Sequence, residues 1–202
     1  MRLSGFPGRH RLLGLMLLAL IVVSCSPDVR FEDVFQRYVE AVNRNDVGGA
    51  LAVHAPDAEF VIPGRPPVRG TGAIRSLLQW DSVMESQIHF GGVDRIGDTL
   101  IAGLGTERSL WFAGIGLDSI AYDGGTRVVF EGGLIKGVYP ASLIPESAAA
   151  FRLRFAEFLA WATQNAPAQL NDLMLGGLFD YGPESAEAWL QILQRYGTTR
   201  IP

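Results

Sequence analysis

The sequence predicts an α+β fold, with helices first, then an antiparallel sheet, then a C-terminal helical extension. Between residues 31 and 83 apolar side chains recur at helical spacing, whereas residues 87 to 139 read as short strands separated by glycine turns. Beyond residue 145 the helical spacing returns. Consecutive strands joined by tight turns make an antiparallel meander, and the helices before it supply a covering layer.

Phe31 to Arg44 places Phe31, Val34, Phe35, Tyr38, Val39 and Val42 on one helical stripe, with Asp28 ahead of it as one candidate cap. A second short helix is expected from Val47 to Ala55 with Asp46 as N-cap and Val47, Ala50, Leu51 and His54 inward. Asp57 to Ile62 reads as a turn into a strand that Pro63-Gly64 stops. The loop from Pro63 to Gly70 leads to Thr71, a cap for a third helix carrying Ile74, Leu77, Leu78 and Val83. Four strands follow, Gln87 to Ile96, Thr99 to Phe112, Leu117 to Phe130 and Leu134 to Tyr139. Gly97-Asp98, Gly114 to Gly116 and Glu131 to Gly133 supply their turns. In the extension, Glu146 to Asn165 aligns Phe151, Phe155, Phe158, Leu159 and Ala162, and Pro167 ends it. A short helix from Gln169 to Leu175 and a last one from Pro183 to Tyr196 complete the chain. These helices are too rich in Phe, Leu and Trp to hang free, so the extension is expected to pack on the rest.

The N-terminus has a different character. Arg2, Arg9 and Arg11 precede an uncharged, mostly apolar run from Leu12 to Val23, then Ser24 and the only cysteine, Cys25. Basic, apolar, small is the order of a secretory signal peptide. The run is too short to cross a hydrocarbon core that needs about 20 residues. Val22-Val23-Ser24-Cys25 resembles the bacterial lipobox, which implies lipidation of Cys25 and cleavage before it. The expected organisation is a signal over residues 1–24, a domain over 25–144 and a helical extension over 145–202. The expected location is the bacterial cell envelope, lipid-anchored and facing the periplasm or the outside.

Of the 17 basic residues three leave with the signal, so 14 remain against 21 acidic ones. That balance excludes a basic nucleic-acid footprint and leaves the lipid anchor as the expected contact with membrane. With Cys25 lipidated no thiol remains for a disulfide, a metal or a nucleophile. Neither His-x-x-x-His nor Glu-x-x-His occurs, and no metal or other cofactor is expected. A phosphate-cradling glycine loop and a Gly-x-Ser-x-Gly elbow are also missing from the sequence.

Three segments carry a resemblance: Gln36-Arg37-Tyr38-Val39-Glu40-Ala41-Val42, Ala55-Pro56-Asp57-Ala58-Glu59-Phe60, and Gly70-Thr71-Gly72-Ala73-Ile74-Arg75. In their order and spacing they resemble the SnoaL-like branch of the nuclear transport factor 2 superfamily, over residues 31 to about 140. The resemblance implies a curved sheet wrapped by helices into a cone with a mostly apolar pocket at its open end, and homodimers through the sheet face. Ketosteroid isomerases of that superfamily hydrogen-bond the developing enolate with a tyrosine at the position of Tyr38. The place of a supporting tyrosine is taken by His54. The catalytic aspartate falls on Ile62, which cannot accept a proton, and the late-strand carboxyl falls near Thr126. With the base missing, isomerase chemistry of that type is disfavoured.

His54 and Tyr38 are the candidate catalytic pair, since a histidine on an inner stripe beside a phenol suits binding or polarising a carbonyl. The other reading of His54 is a core histidine satisfied by Tyr38 or a backbone carbonyl. Ile62, Trp80, Trp111 and Thr126 are candidate pocket residues, with Phe112 and Tyr122 as further wall or plain core. Glu107, Arg108 and Arg127 lie within strands, where alternation gives only one face to the pocket. There an Arg–Glu pair would activate water, as the epoxide hydrolases of the resembled superfamily imply; a solvated or dimer-facing charge is the alternative. The expected function is a cell-envelope lipoprotein that binds a small apolar molecule or a protein partner without catalysis. An isomerase, cyclase or hydrolase using His54 and Tyr38 is the alternative, and a purely structural interaction module is the third class. Cys25→Ala is expected to abolish lipid labelling and to move the protein out of the membrane fraction; unchanged labelling and fractionation would refute the anchor.

Overall fold

A computed structural model describes residues 30–174 and 179–199. The expected signal over residues 1–24 and the expected lipidation site Cys25 lie outside the described residues. Helix α1 (Phe31–Asn43) and helix α2 (Val47–Ala52) pack together at the start of the fold. Asp46 caps α2, its carboxylate accepting from Gly49 N at 2.8 Å. Strand β1 (His54–Phe60) follows directly. His54 therefore opens a strand and does not sit on the inner stripe of α2. Pro56 accounts for this, because the residue before a proline is driven away from helical backbone angles and the helix ends early.

After β2 (Val68–Arg69), helix α3 (Gly70–Val83) crosses behind β1, burying Ile74, Leu77, Leu78 and Trp80. It begins one residue before the expected Thr71 cap. The predicted meander is present, but three of its four long strands are bent in two. Gln87 to Ile96 becomes β3 (Gln87–Phe90) and β4 (Val93–Ile96), hinged at Gly91-Gly92. Opposite it, β5 (Thr99–Ala102) and β6 (Gly105–Arg108) are hinged at Gly103-Leu104, and Gly91 N donates to the Leu104 carbonyl at 2.9 Å across the bend. The third pair, β7 (Ile120–Tyr122) and β8 (Thr126–Glu131), turns at Asp123-Gly124-Gly125. Strand β9 (Leu134–Tyr139) pairs antiparallel with β8 and parallel with β1. The sheet order is β2-β1-β9-β8-β5-β4, with β3-β6-β7 continuing beyond the bends. The result is a curved, unclosed sheet whose hollow side faces the helices.

The strand expected from Thr99 to Phe112 stops at Arg108. Trp111 and Phe112 lie instead on helix α4 (Leu110–Ile115). Ser109 causes the switch by accepting from Phe112 N at 3.3 Å, and Gly116, at φ +87°, closes the helix in a conformation that suits glycine.

Helices α5 (Pro145–Asn165) and α7 (Pro183–Thr199) pack on the end of the cone at α3, α4 and β7, and α6 (Pro167–Leu173) packs on both of them. The cone has its own core, built on Val34, Phe35, Ile74, Leu100, Val128 and Ile135. A second core joins the extension to the cone: Trp80, Met84, Trp111 and Ile115 pack with Phe158, Trp189, Ile192 and Leu193. Phe158 and Trp189 are fully buried, each worth roughly 1.5–3 kcal/mol before ordering entropy. Close approach of α7 to α4 depends on Gly114, where an added Cβ would lie 2.9 Å from Leu193 Cβ and Cδ2. Gly114→Val is expected to cost about 1–3 kcal/mol through overpacking, read as a lowered Tm in calorimetry; an unchanged Tm would mean that the helices separate easily.

Candidate functional site

The hollow of the sheet contains a cavity of about 700 Å³. Helix α1 contributes Phe35, Tyr38 and Val42, the segment after β1 contributes Val61 and Ile62, and α3 contributes Leu77, Trp80 and Asp81. The sheet adds Ile88, Phe90, Glu107, Tyr122, Thr126 and Val138, and α4 adds Trp111 and Phe112. The extension completes the wall with Phe151, Phe155, Phe179 and Tyr181. Three other lining residues, Pro63, Ser142 and Arg152, are exposed and mark where the cavity reaches solvent.

Five of the six candidate residues within the described chain line this cavity: Tyr38, Ile62, Trp80, Trp111 and Thr126. Thr126 is buried, and its Oγ1 accepts from Ala141 N at 3.0 Å, tying β8 to the segment after β9. His54 is not among the lining residues. Its ring stands edge-on to Tyr38 with centroids 5.3 Å apart. Its Nδ1 donates to the Ala50 carbonyl at 2.9 Å, a partner that can only accept, so the proton is on Nδ1. Nε2 is buried without a hydrogen-bond partner. Burial lowers the His54 pKa, outweighing the Ala50 bond, so the ring is neutral at pH 7.

Two carboxyl groups that sequence reasoning did not bring together face the cavity, Asp81 from α3 and Glu107 from β6. Alternation along β6 turns Thr106 and Arg108 outward, which leaves Gly105 and Glu107 inward. Arg108 bonds Gln87 on the outer surface, and exposed Arg127 lies over the Tyr139 ring at 4.9 Å. No Arg–Glu pair therefore forms in the cavity from these strands. Tyr122 Oη donates to Glu107 Oε2 at 2.6 Å, while Ser86 Oγ reaches Asp81 Oδ1 only at 3.5 Å. Burial, reinforced by the charge of Glu107, pushes the Asp81 carboxyl up to about 8. Burial also raises Glu107, with the Tyr122 hydrogen bond working against it. The Tyr38 phenol is raised by burial and then by both carboxylates, so it stays a neutral donor across the working pH range. Among the described residues no group of three His, Cys, Asp or Glu side chains is placed to hold a metal.

The model of the SnoaL-like domain matches residues 35–138, about half of the chain. The chain belongs to the SnoaL-like family. The chain is also similar to solved structures. An NTF2-like protein of unknown function from Cytophaga hutchinsonii gives a TM-score of 0.48 at 12% identity, covering 61% of this chain and 98% of that one. An NTF2-like protein from Burkholderia xenovorans gives 0.46 at 22% identity, covering 59% and 93%. The epoxide hydrolase/cyclase-like enzyme SalBIII, described in pyran ring formation in the polyether salinomycin, gives 0.50 at 13% identity, covering 58% and 92%. No curated protein matches the chain in sequence.

The SnoaL-like match ends in β9, so helices α5 to α7, the segment ahead of α7 and the four aromatic wall residues Phe151, Phe155, Phe179 and Tyr181 lie beyond it. Asp81 did carry a signal in the sequence. It falls three residues after Leu78 and four after Leu77, on the buried stripe of α3, where a carboxylate is out of place.

These carboxyls also set a pH dependence. Their neutral forms are favoured in the folded chain, so folding takes up protons and stability falls as pH rises from Asp81's unfolded value of 3.8 through about 8. Asp81→Asn is expected to match the wild-type Tm near pH 4 and to exceed it above pH 8, measured by thermal melts across that range. A variant no more stable than wild type at pH 9 would contradict the burial of Asp81.

Proposed function

We propose that the protein binds a small, mostly apolar molecule inside the SnoaL-like cone and that it is held at the cell envelope by a lipid on Cys25. The observation that carries the binding reading is the cavity of about 700 Å³, lined mainly by aromatic and aliphatic side chains with a few polar groups turned inward. Volumes of roughly 300–1,000 Å³ with that lining are typical of small-molecule sites. A module acting only as a structural contact would gain more by filling the cone with side chains. The anchor rests on Arg2, Arg9, Arg11, the run from Leu12 to Val23, and Cys25.

The second reading is a small-molecule enzyme, and Asp81 and Glu107 favour it. A carboxyl titrating near 8 beside a second one is suited to giving or taking a proton near neutral pH. On this reading Tyr38, and not His54, would be the neighbouring donor, because Tyr38 lines the cavity.

Ala148 faces the cavity from α5 and leaves room for a larger side chain to fill it. Nile red is expected to bind the protein saturably, one molecule per chain, with enhanced fluorescence. Ala148→Trp should abolish that signal while keeping a cooperative thermal transition. Saturable binding that survives Ala148→Trp would place the dye elsewhere and refute this cavity as the site.

A further inference from the structure

We propose that the ligand is a lipophilic organic cation, an amine or quaternary ammonium, whose charge is received by Asp81 and Glu107 against the aromatic wall of the cavity. This rests on the small-molecule reading above. The cavity supplies the site, and its unmatched charges supply the chemical class. Carboxylates removed from water need a cation, a proton or several hydrogen bonds to be tolerated. Among the described residues, neither Asp81 nor Glu107 forms an ion pair.

The arginines near the site are committed or turned away. Arg65 donates to the Phe179 carbonyl at 2.6 Å and lies 5.4 Å and 5.1 Å from the rings of Phe179 and Tyr181. Arg152 is exposed, and Arg108 bonds Gln87 outside. Protein donors meet little of the demand, since Glu107 receives Tyr122 and Asp81 only the long contact from Ser86. An anionic ligand would be repelled. A neutral acceptor could take the Tyr38 phenol or a carboxyl proton as its donor, but it would leave the charge of the two carboxylates unmatched.

A cation instead satisfies both carboxylates at once. It also meets the electron-rich aromatic side chains Tyr38, Trp80, Trp111, Tyr122 and Tyr181, which line the same cavity. Apolar substituents on its nitrogen match the rest of the wall. In the ligand-free protein a proton takes the cation's place, so binding at neutral pH displaces that proton.

The groups around Asp81 fix the pH profile. They are Tyr38 from α1, Asp46 at the start of α2, Glu107 from β6, Tyr122 from β7, Tyr181 ahead of α7, and Arg65. The three phenols are raised and stay neutral, Arg65 donates to the Phe179 carbonyl, and Asp46 is engaged with Gly49. Between pH 7 and 9 it is Asp81, raised to about 8, that gives up its proton.

The test compares benzyltrimethylammonium, whose charge does not titrate, with its carbon isostere neopentylbenzene by calorimetry on the purified protein. The cation should bind at least tenfold tighter than the isostere, and its affinity should rise by up to about tenfold from pH 7 to pH 9 as the proton near pH 8 leaves. At pH 7 binding should release a proton, seen as a heat that varies with the buffer's ionisation enthalpy. Asp81→Asn and Glu107→Gln should each weaken the cation at least tenfold and leave the isostere unchanged, which also verifies folding. An isostere that binds as tightly as the cation, with no proton release, overturns the cation assignment and keeps the pocket. Failure of both probes to bind overturns the pocket reading itself.

Discussion

The bend that crosses three neighbouring strands is the constraint on which this molecule depends. A continuous ladder from Gln87 to Ile96 against Thr99 to Arg108 would make a flat hairpin with no interior. Gly91-Gly92 and Gly103 interrupt it at one level, and Gly124-Gly125 interrupt the next strand beside them. Gly92 and Gly125 have φ values of +143° and +109°, where a side chain would be strained. Hydrogen bonding persists through the bend, from Gly103 N to the Gly92 carbonyl and from Gly125 N to the Ala102 carbonyl. The sheet is therefore folded over without being broken, and the hollow it creates is what the helices enclose.

That hollow brings together side chains with little in common in sequence. Asp81 comes from the end of a helix, Glu107 from a strand beyond the bend, and Tyr122 from the strand beside it. Straightening the ladder would carry Glu107 and Tyr122 away from α3. The aromatic cluster on the far side adds stiffness: Trp111 contacts Phe158, Phe179 and Trp189 edge-on at centroid distances of 5.9, 5.3 and 5.3 Å. One face of this cluster is core and the other is cavity wall, so the rigidity of the site and the docking of the extension have the same physical origin.

Elements with one strong period were legible in the sequence. The stripe Val34, Phe35, Tyr38 and Val42 specifies α1, and Phe151, Phe155 and Phe158 align α5. Phe90 and Val93 both pack inward although they lie an odd number of residues apart, so alternation breaks at Gly91-Gly92; that the break is shared by neighbouring strands depends on how their glycines line up, which the local pattern does not reveal. Helix α4 is six residues long and apolar on every side, so neither period marks it; Ser109 and Gly116 are its only punctuation. Pro56 could have moved His54 out of α2. The alternation of Glu107 with Arg108 was readable, while the face that turns inward is decided by the sheet's partners, α1, α3 and α4. The parallel pairing of β1 with β9 spans most of the cone domain and has no local signature.

The wall residues Phe151, Phe155, Phe179 and Tyr181 come late in the chain. During synthesis the cone's strands are complete by Tyr139, when only an open bowl can exist. Closing the chamber waits for residues 145–182 to emerge and dock. A chain lacking residues 145–182 would therefore present an open bowl in place of an enclosed chamber.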